Sequence, residues 1–219
     1  MGSRIYFTTV AADLTRQEGR QKCLDGMLDN YGGIEILINL AGINAFTTFE
    51  PQSPESIEKI INVNTLAPML MSHAVSPHML ARKKGQIVNV GSTFGSIGFP
   101  CFTAYSTSKF ALRGFSQSLR RELEGRGIQV TYIAPRAVHT PLNSPAVYEM
   151  ATAIKMNFDE PEFVADEILK AVDAGRKEQY IGFPESLFAR INGILPGMVD
   201  HSLKNPVPAM RRYAEKDSS

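Results

Sequence analysis

The sequence predicts an α/β fold built on a doubly wound parallel sheet, and three observations carry that reading. Short β-rich runs alternate with stretches at helical spacing. The runs are apolar almost throughout, IEILINL at 34–40 and IQVTYIA at 128–134, as strands covered on both faces must be. Segments rich in Gly, Ser or Pro follow Leu40, Val90 and Ala134, where loops leave the carboxyl ends of strands.

Taken in order, residues 5–11 are a short β-rich run, and 14–30 carry helical spacing. Residues 34–40 form the next strand, which ends at Gly42. A long helix is expected over 56–81. Pro68 and Pro77 bend or divide it, because proline lacks an N–H and its ring presses on the carbonyl four residues back. The strand QIVNV at 86–90 stops at Gly91. Residues 103–124 are helical, with Ala104, Ala111, Leu112, Phe115, Leu119 and Leu123 at apolar positions. Gly127 breaks the chain before the strand at 128–134, and Pro135 closes that strand. A helix at 163–174 and a short strand at 179–182 follow. Further on, Leu187, Phe188, Ile191, Ile194, Leu195, Met198 and Val199 share one helical face, with Pro196 bending or stopping the helix. The expected organisation is a core over 1–182 and an amphipathic segment over 183–219 of the same domain. That segment either packs on its own sheet or a partner subunit, or covers a lipophilic substrate or rests on a membrane.

Composition narrows the functions. The 219 residues suit one domain, and 43% apolar content supplies a core. Lys and Arg number 23 against 22 Asp and Glu, leaving +1, so nothing drives binding to nucleic acid or to an anionic membrane surface. No apolar run reaches the roughly 18–20 residues of a transmembrane segment. Cys23 and Cys101 make neither a disulfide framework nor a metal cluster, which points to a reducing, cytoplasmic setting. His73 and His78, five apart on a helix, do not align on a shared metal, and no metal site is expected. Residues 1–4 lack the basic and apolar blocks of a signal peptide, and Tyr6 spoils a myristoylation signal at Gly2.

The chemistry centres on Tyr105 and Lys109. Four residues apart on a helix they share a face, so an ammonium can lie beside a phenol, favour its phenolate and draw its pKa below about 10. A phenol so tuned is a general acid/base for a developing alkoxide. Alone, such a pair is more often a surface contact. Ser92, however, lies 13 residues upstream just past a strand end, where its hydroxyl can donate to a carbonyl oxygen. Asn64 sits within INVNTLAP on the preceding long helix, and Asn39-Leu40-Ala41-Gly42 closes one strand as Pro135, with Thr140 beyond it, closes another.

Together these segments resemble the short-chain dehydrogenase/reductase family. ILINLAGIN is similar to its Asn-Asn-Ala-Gly segment, and IINVNTLAP to its Asn-bearing helix. IVNVGSTFGSIG resembles the serine segment, AYSTSKFALRGFSQSLRREL the Tyr-xxx-Lys helix, YIAPRAVHTPL the Pro-Gly-xxx-Thr loop and AADLT the Asp segment. The resemblance runs from about residue 5 to 182 and implies a Rossmann-type fold and an NAD- or NADP-dependent enzyme interconverting a ketone and a secondary alcohol. It implies Tyr105 as general acid/base, Lys109 as the residue that lowers its pKa and holds the nicotinamide ribose, and Ser92 as the carbonyl polariser. Asn64 would hold a water linking Lys109 to solvent. Asp13 would meet the adenine edge, Asn39, Ala41, Gly42 and Pro135 would line the cofactor, and Thr140 would hold its carboxamide. The family also implies a homodimer or homotetramer built on the two long helices, where Phe110, Leu112, Phe115 and Leu119 add apolar surface.

Against the family pattern, the sequence carries no Gly-xxx-Gly-x-Gly turn to receive a pyrophosphate; the glycines from Gly91 to Gly98 are read as the serine loop. By that comparison residues 5–11 match a third strand, so the fold is expected to be N-terminally truncated and to bind the dinucleotide weakly. The run at 5–11 is expected either to pair directly with 34–40 or to stand across a gap from it. Leu40 replaces an Asn and Arg136 a Gly; Arg136 is either a positive contact for a phosphate or acidic substrate, or a solvated loop residue. His139 in the same loop is expected to be structural. The alternative function is a non-catalytic remnant or oligomerisation subunit that has lost its cofactor cradle.

Overall fold

The structure is a computed structural model that describes residues 7–217. Its strands are β1 (Ile36–Asn39), β2 (Gly85–Val90), β3 (Ile128–Pro135), β4 (Ala137–Val138), β5 (Phe158–Asp159) and β6 (Glu178–Ile181). Among the described residues, β1, β2, β3 and β6 make a four-stranded sheet in that order, parallel throughout, and β4 pairs parallel with β5. Register runs Ile38 to Val88, Val88 to Thr131 and Ile133 to Gln179. β2 and β3 are buried along nearly their whole length, which is why they read as unbroken apolar runs.

The helices are α1 (Gln17–Tyr31), α2 (Pro54–Ile61), α3 (Ala67–Arg82), α4 (Thr103–Glu122), α5 (Pro145–Ile154), α6 (Pro161–Asp173), α7 (Glu185–Asn192), α8 (Pro196–Lys204) and α9 (Val207–Asp217). Alternate strand residues feed two cores. Ile87 and Val130 meet Leu24 of α1, Val75 and Met79 of α3 and Leu123 on one face. Val88 and Ile133 meet Val164, Ile168 and Val172 of α6 on the other. Each such side chain, fully buried, contributes about 1.5–3 kcal/mol. α1 stops at Gly32, whose φ of 70° lets its N–H cap the Leu28 carbonyl at 2.8 Å.

One expectation needs correction. The segment from Phe7 to Ala12 forms no strand; it lies along α1, where the Ala11 carbonyl accepts from Lys22 Nζ at 3.1 Å. A β-rich composition marks only what fits a pleated surface, and here no sheet edge receives it. Neither pairing with β1 nor a strand across a gap is found, and β1 itself forms the edge with Ile36 and Ile38 exposed. Ile5 and Tyr6, and the readings at residues 1–4, lie outside the described residues. The helix expected over 56–81, bent or divided at its prolines, is divided just before Pro68 into α2, a π-helical turn at Asn62–Leu66, and α3, which runs on through Pro77. The helix near 187–199 is interrupted before Pro196, as its proline implied, giving α7 and α8, while α5, α9 and the β4–β5 pair were not anticipated. Among the described residues, no helix is long and apolar enough to cross a membrane.

Candidate active site

The carboxyl ends of β1, β2 and β3 converge on a cavity of about 500 Å³. Ser92 leaves β2 in extended conformation and caps a short 3-10 turn, its Oγ accepting from the Phe94 N–H at 3.1 Å. Beneath this loop stands Tyr132 of β3, fully buried, its phenol oxygen donating to the Ser92 carbonyl at 3.2 Å. A methyl group at Gly91 or Gly95 would run into the Tyr132 ring, so the two glycines let the serine loop sit down on that tyrosine.

α4 supplies the neighbouring wall. Tyr105 packs edge-on against Phe94 and Phe102, each with ring centres 6.3 Å away, and its phenol is hydrogen bonded to the Ser92 side chain. One turn on, Lys109 is 4% exposed; its Nζ donates to the Val90 carbonyl at 3.1 Å and lies 5.7 Å from the Tyr105 ring centre. Burial pushes the Tyr105 phenol up to about 12, with the Ser92 hydrogen bond opposing, and pushes Lys109 down to about 8. The expected lowering of the Tyr105 pKa by Lys109 is therefore not found. The ammonium is turned toward Val90, and the loss of water dominates for both groups.

Asn64 is fully buried one layer behind this wall, within the π-helical turn. The turn follows from Pro68, which has no N–H to give the Asn64 carbonyl four residues back. Asn64 Oδ1 accepts from the Ile43 N–H at 2.8 Å, and Nδ2 donates to the Ile43 carbonyl at 2.8 Å and to Ser108 Oγ at 3.0 Å. The side chain thus pins the loop after β1 to α4.

Of the other residues singled out, Ala41, Gly42, Pro135 and Thr140 line the cavity with Ser92, Tyr105 and Lys109. Asn39 does not. Its amide donates to Asn89 Oδ1 at 2.8 Å, and Asn89 donates to Ser116 Oγ at 2.9 Å, a network that ties β1 and β2 to α4. Asp13 is exposed and away from the cavity, accepting from the Thr15 N–H and hydroxyl at 2.9 and 2.6 Å, contacts that hold its carboxyl below the usual range. Arg136 is no solvated loop residue: it pairs with Asp159 at 2.6 Å and Glu185 at 3.1 Å. His139 stacks on Phe158 and Tyr148. Sequence reading missed Tyr132, Phe94 and Phe102. A tyrosine inside an otherwise apolar central strand was the available signal, because its hydroxyl must find a partner there.

A profile described as short chain dehydrogenase matches residues 3–151, more than half of the chain. A cattle (Bos taurus) protein named dehydrogenase/reductase SDR family member 7B is 30% identical over 197 residues, covering 87% of this chain and 61% of that protein. The uncharacterized oxidoreductase YxnA of Bacillus subtilis is 27% identical, covering 96% of this chain and 60% of its own. The chain spans about three fifths of the length of these curated relatives. Among solved structures, a short-chain dehydrogenase from Streptomyces avermitilis superposes with a TM-score of 0.73 at 26% identity, covering 90% of this chain and 78% of that one. A 4-hydroxyisoleucine dehydrogenase mutant complexed with NADH and succinate gives 0.70 at 26% identity, covering 78% and 76%. The chain belongs to the short chain dehydrogenase family.

Proposed function

We propose that this short chain dehydrogenase interconverts a ketone and a secondary alcohol with NAD or NADP. The observation that carries the reading is the convergence of the Tyr105 phenol, the Ser92 hydroxyl and the buried Lys109 amine on one cavity wall. A nicotinamide riboside moiety fits beside them: a Cβ at Gly42 would stand 3.3 Å from Asn64 Oδ1 and 3.6 Å from Lys109 Nζ, so the glycine keeps that floor open.

The dinucleotide, when bound, supplies or receives the hydride. Lys109 would hold the ribose hydroxyls, Thr140 and Pro135 the carboxamide end, and Ala41 and Gly42 would line the cleft. Asn39 supports that cleft from behind, and Asp13 is the residue proposed for the distant adenine edge. Ser92 donates to the substrate oxygen, and Tyr105 gives its proton to the same oxygen in reduction or takes it back in oxidation. A phenol pushed up to about 12 is protonated at neutral pH, which is the form that donates. Pro68 leaves the Asn64 carbonyl without its helical donor, making it the atom that would accept from a water behind Lys109.

We also propose a homodimer or homotetramer through the faces of α3, of the π-helical turn before it and of α4, where Met69, Leu66 and Phe110 are exposed, whereas Leu112 is committed to the core. A monomeric mass by light scattering at tens of micromolar overturns that assembly. The cofactor reading is tested by titrating the chain with NADH and NADPH and following nicotinamide fluorescence. Saturable binding supports it; none at millimolar cofactor favours a non-catalytic subunit.

A further inference from the structure

A second cavity of about 270 Å³ adjoins the first, and Thr93, Phe94, Arg136, Ala137 and Met156 line both. We propose that it receives a neutral apolar chain of the substrate, so that the substrate is a lipophilic ketone or secondary alcohol; this rests on the oxidoreductase reading of the first cavity. Two residues past Ser92, Phe94 is the apolar step from one cavity to the next, facing the adaptable thioether of Met156. Ile97 and Phe99 line the second cavity together with Phe188, Val199, Leu203 and Met210 of α7, α8 and α9.

Most polar side chains of this lining are engaged with the protein itself, and Arg136 Nε, which has no hydrogen-bond partner, is buried against Gly182 and closed to a ligand. Arg136 is held by Asp159 at 2.6 Å, by Glu185 at 3.1 Å and by the Phe183 carbonyl at 3.0 Å. Asn157 donates to the other Glu185 oxygen at 2.9 Å, and Ser202 donates to the Val199 carbonyl at 2.7 Å. Lys155 is exposed to solvent at the α5 end. A charged substrate group entering here would have to displace the Arg136 pairs, whereas a methylene chain meets carbon. The link between α7 and α8 and the start of α8 also carry exposed apolar side chains, Ile194, Leu195 and Met198.

The test is calorimetric titration of the full chain with the unbranched series from 2-hexanone to 2-decanone. Each methylene taken up should tighten binding about fourfold until the cavity is full. Leu203→Trp, which fills the cavity, should flatten the series. Phe188→Ser, at a 41% exposed position where folding is not at stake, should flatten it in part. A flat series in the native chain overturns the proposal, and so does a native slope retained in both variants. Binding is read without turnover, so a failed oxidoreductase reading leaves the slope intact. A failed chain site instead leaves ketone reduction with no preference for length.

Discussion

Replacing Lys109 by Met should stabilise the fold while removing the amine from the site. The folded chain holds this lysine near 8 against an ordinary 10.5, and burial is the cause. At neutral pH the folded protein therefore carries a charge that its interior disfavours by about 3 kcal/mol, since one pKa unit is about 1.4 kcal/mol. Methionine removes that cost but leaves the Val90 carbonyl without its donor, a loss of about 1–2 kcal/mol. The net gain expected at pH 7 is on the order of 1–2 kcal/mol. Its sign reverses with pH. Between about 8 and 10.5 the unfolded lysine binds a proton that the folded one has lost, so native stability rises through that window. The variant has no such rise, and its advantage should vanish by about pH 9.5, below the range where unfolded tyrosines ionise. Urea unfolding followed by circular dichroism at pH 7 and 9.5 measures the difference. A gap between native and variant that stays constant across the two pH values refutes the claim that Lys109 is desolvated.

Gly91→Ala should lower stability by about 1–3 kcal/mol in thermal melts, because the added methyl meets the buried Tyr132 ring and neither can move without breaking β3 packing. Tyr132→Phe should cost about 1 kcal/mol in stability and lower kcat more than it raises KM, since it frees the Ser92 carbonyl from the hydroxyl that positions its loop. Arg136→Met should cost about 3–5 kcal/mol, measured by urea unfolding, because Asp159 is left as a buried charge without its partner.

The parallel sheet was legible because β2 and β3 are covered on both faces, and only apolar side chains survive there. The wall formed by Ser92, Tyr105 and Lys109 was legible for a different reason: helical spacing puts the last two on one face, and a strand end brings the first to them. Residues 7–12 were misread because a β-rich run becomes a strand only when an edge accepts it, and that depends on distant chain. The division at Pro68 was legible from the proline itself, and the π-helical turn at Asn64 was readable in principle, from that proline four residues on. The packing of Asn39 and Arg136 was not legible because a side chain's partners lie far along the sequence: Asn89 is 50 residues from Asn39, and Glu185 is 49 from Arg136. The tuning of Tyr105 was misjudged because proximity to a cation can be read from spacing, whereas loss of water cannot.

The most direct measurement is ketone-dependent oxidation of NADH and NADPH, supplied at millimolar concentration to offset weak dinucleotide binding, by the native chain and by Tyr105→Phe, with nicotinamide binding followed on the same samples. The substitution deletes one oxygen and leaves the ring packed on Phe94 and Phe102. General acid/base assistance is worth about 10²–10⁴-fold, so turnover should fall by at least that lower bound while cofactor affinity is unchanged. A Tyr105→Phe protein that keeps more than about a tenth of native turnover contradicts the assignment of this phenol as the proton donor.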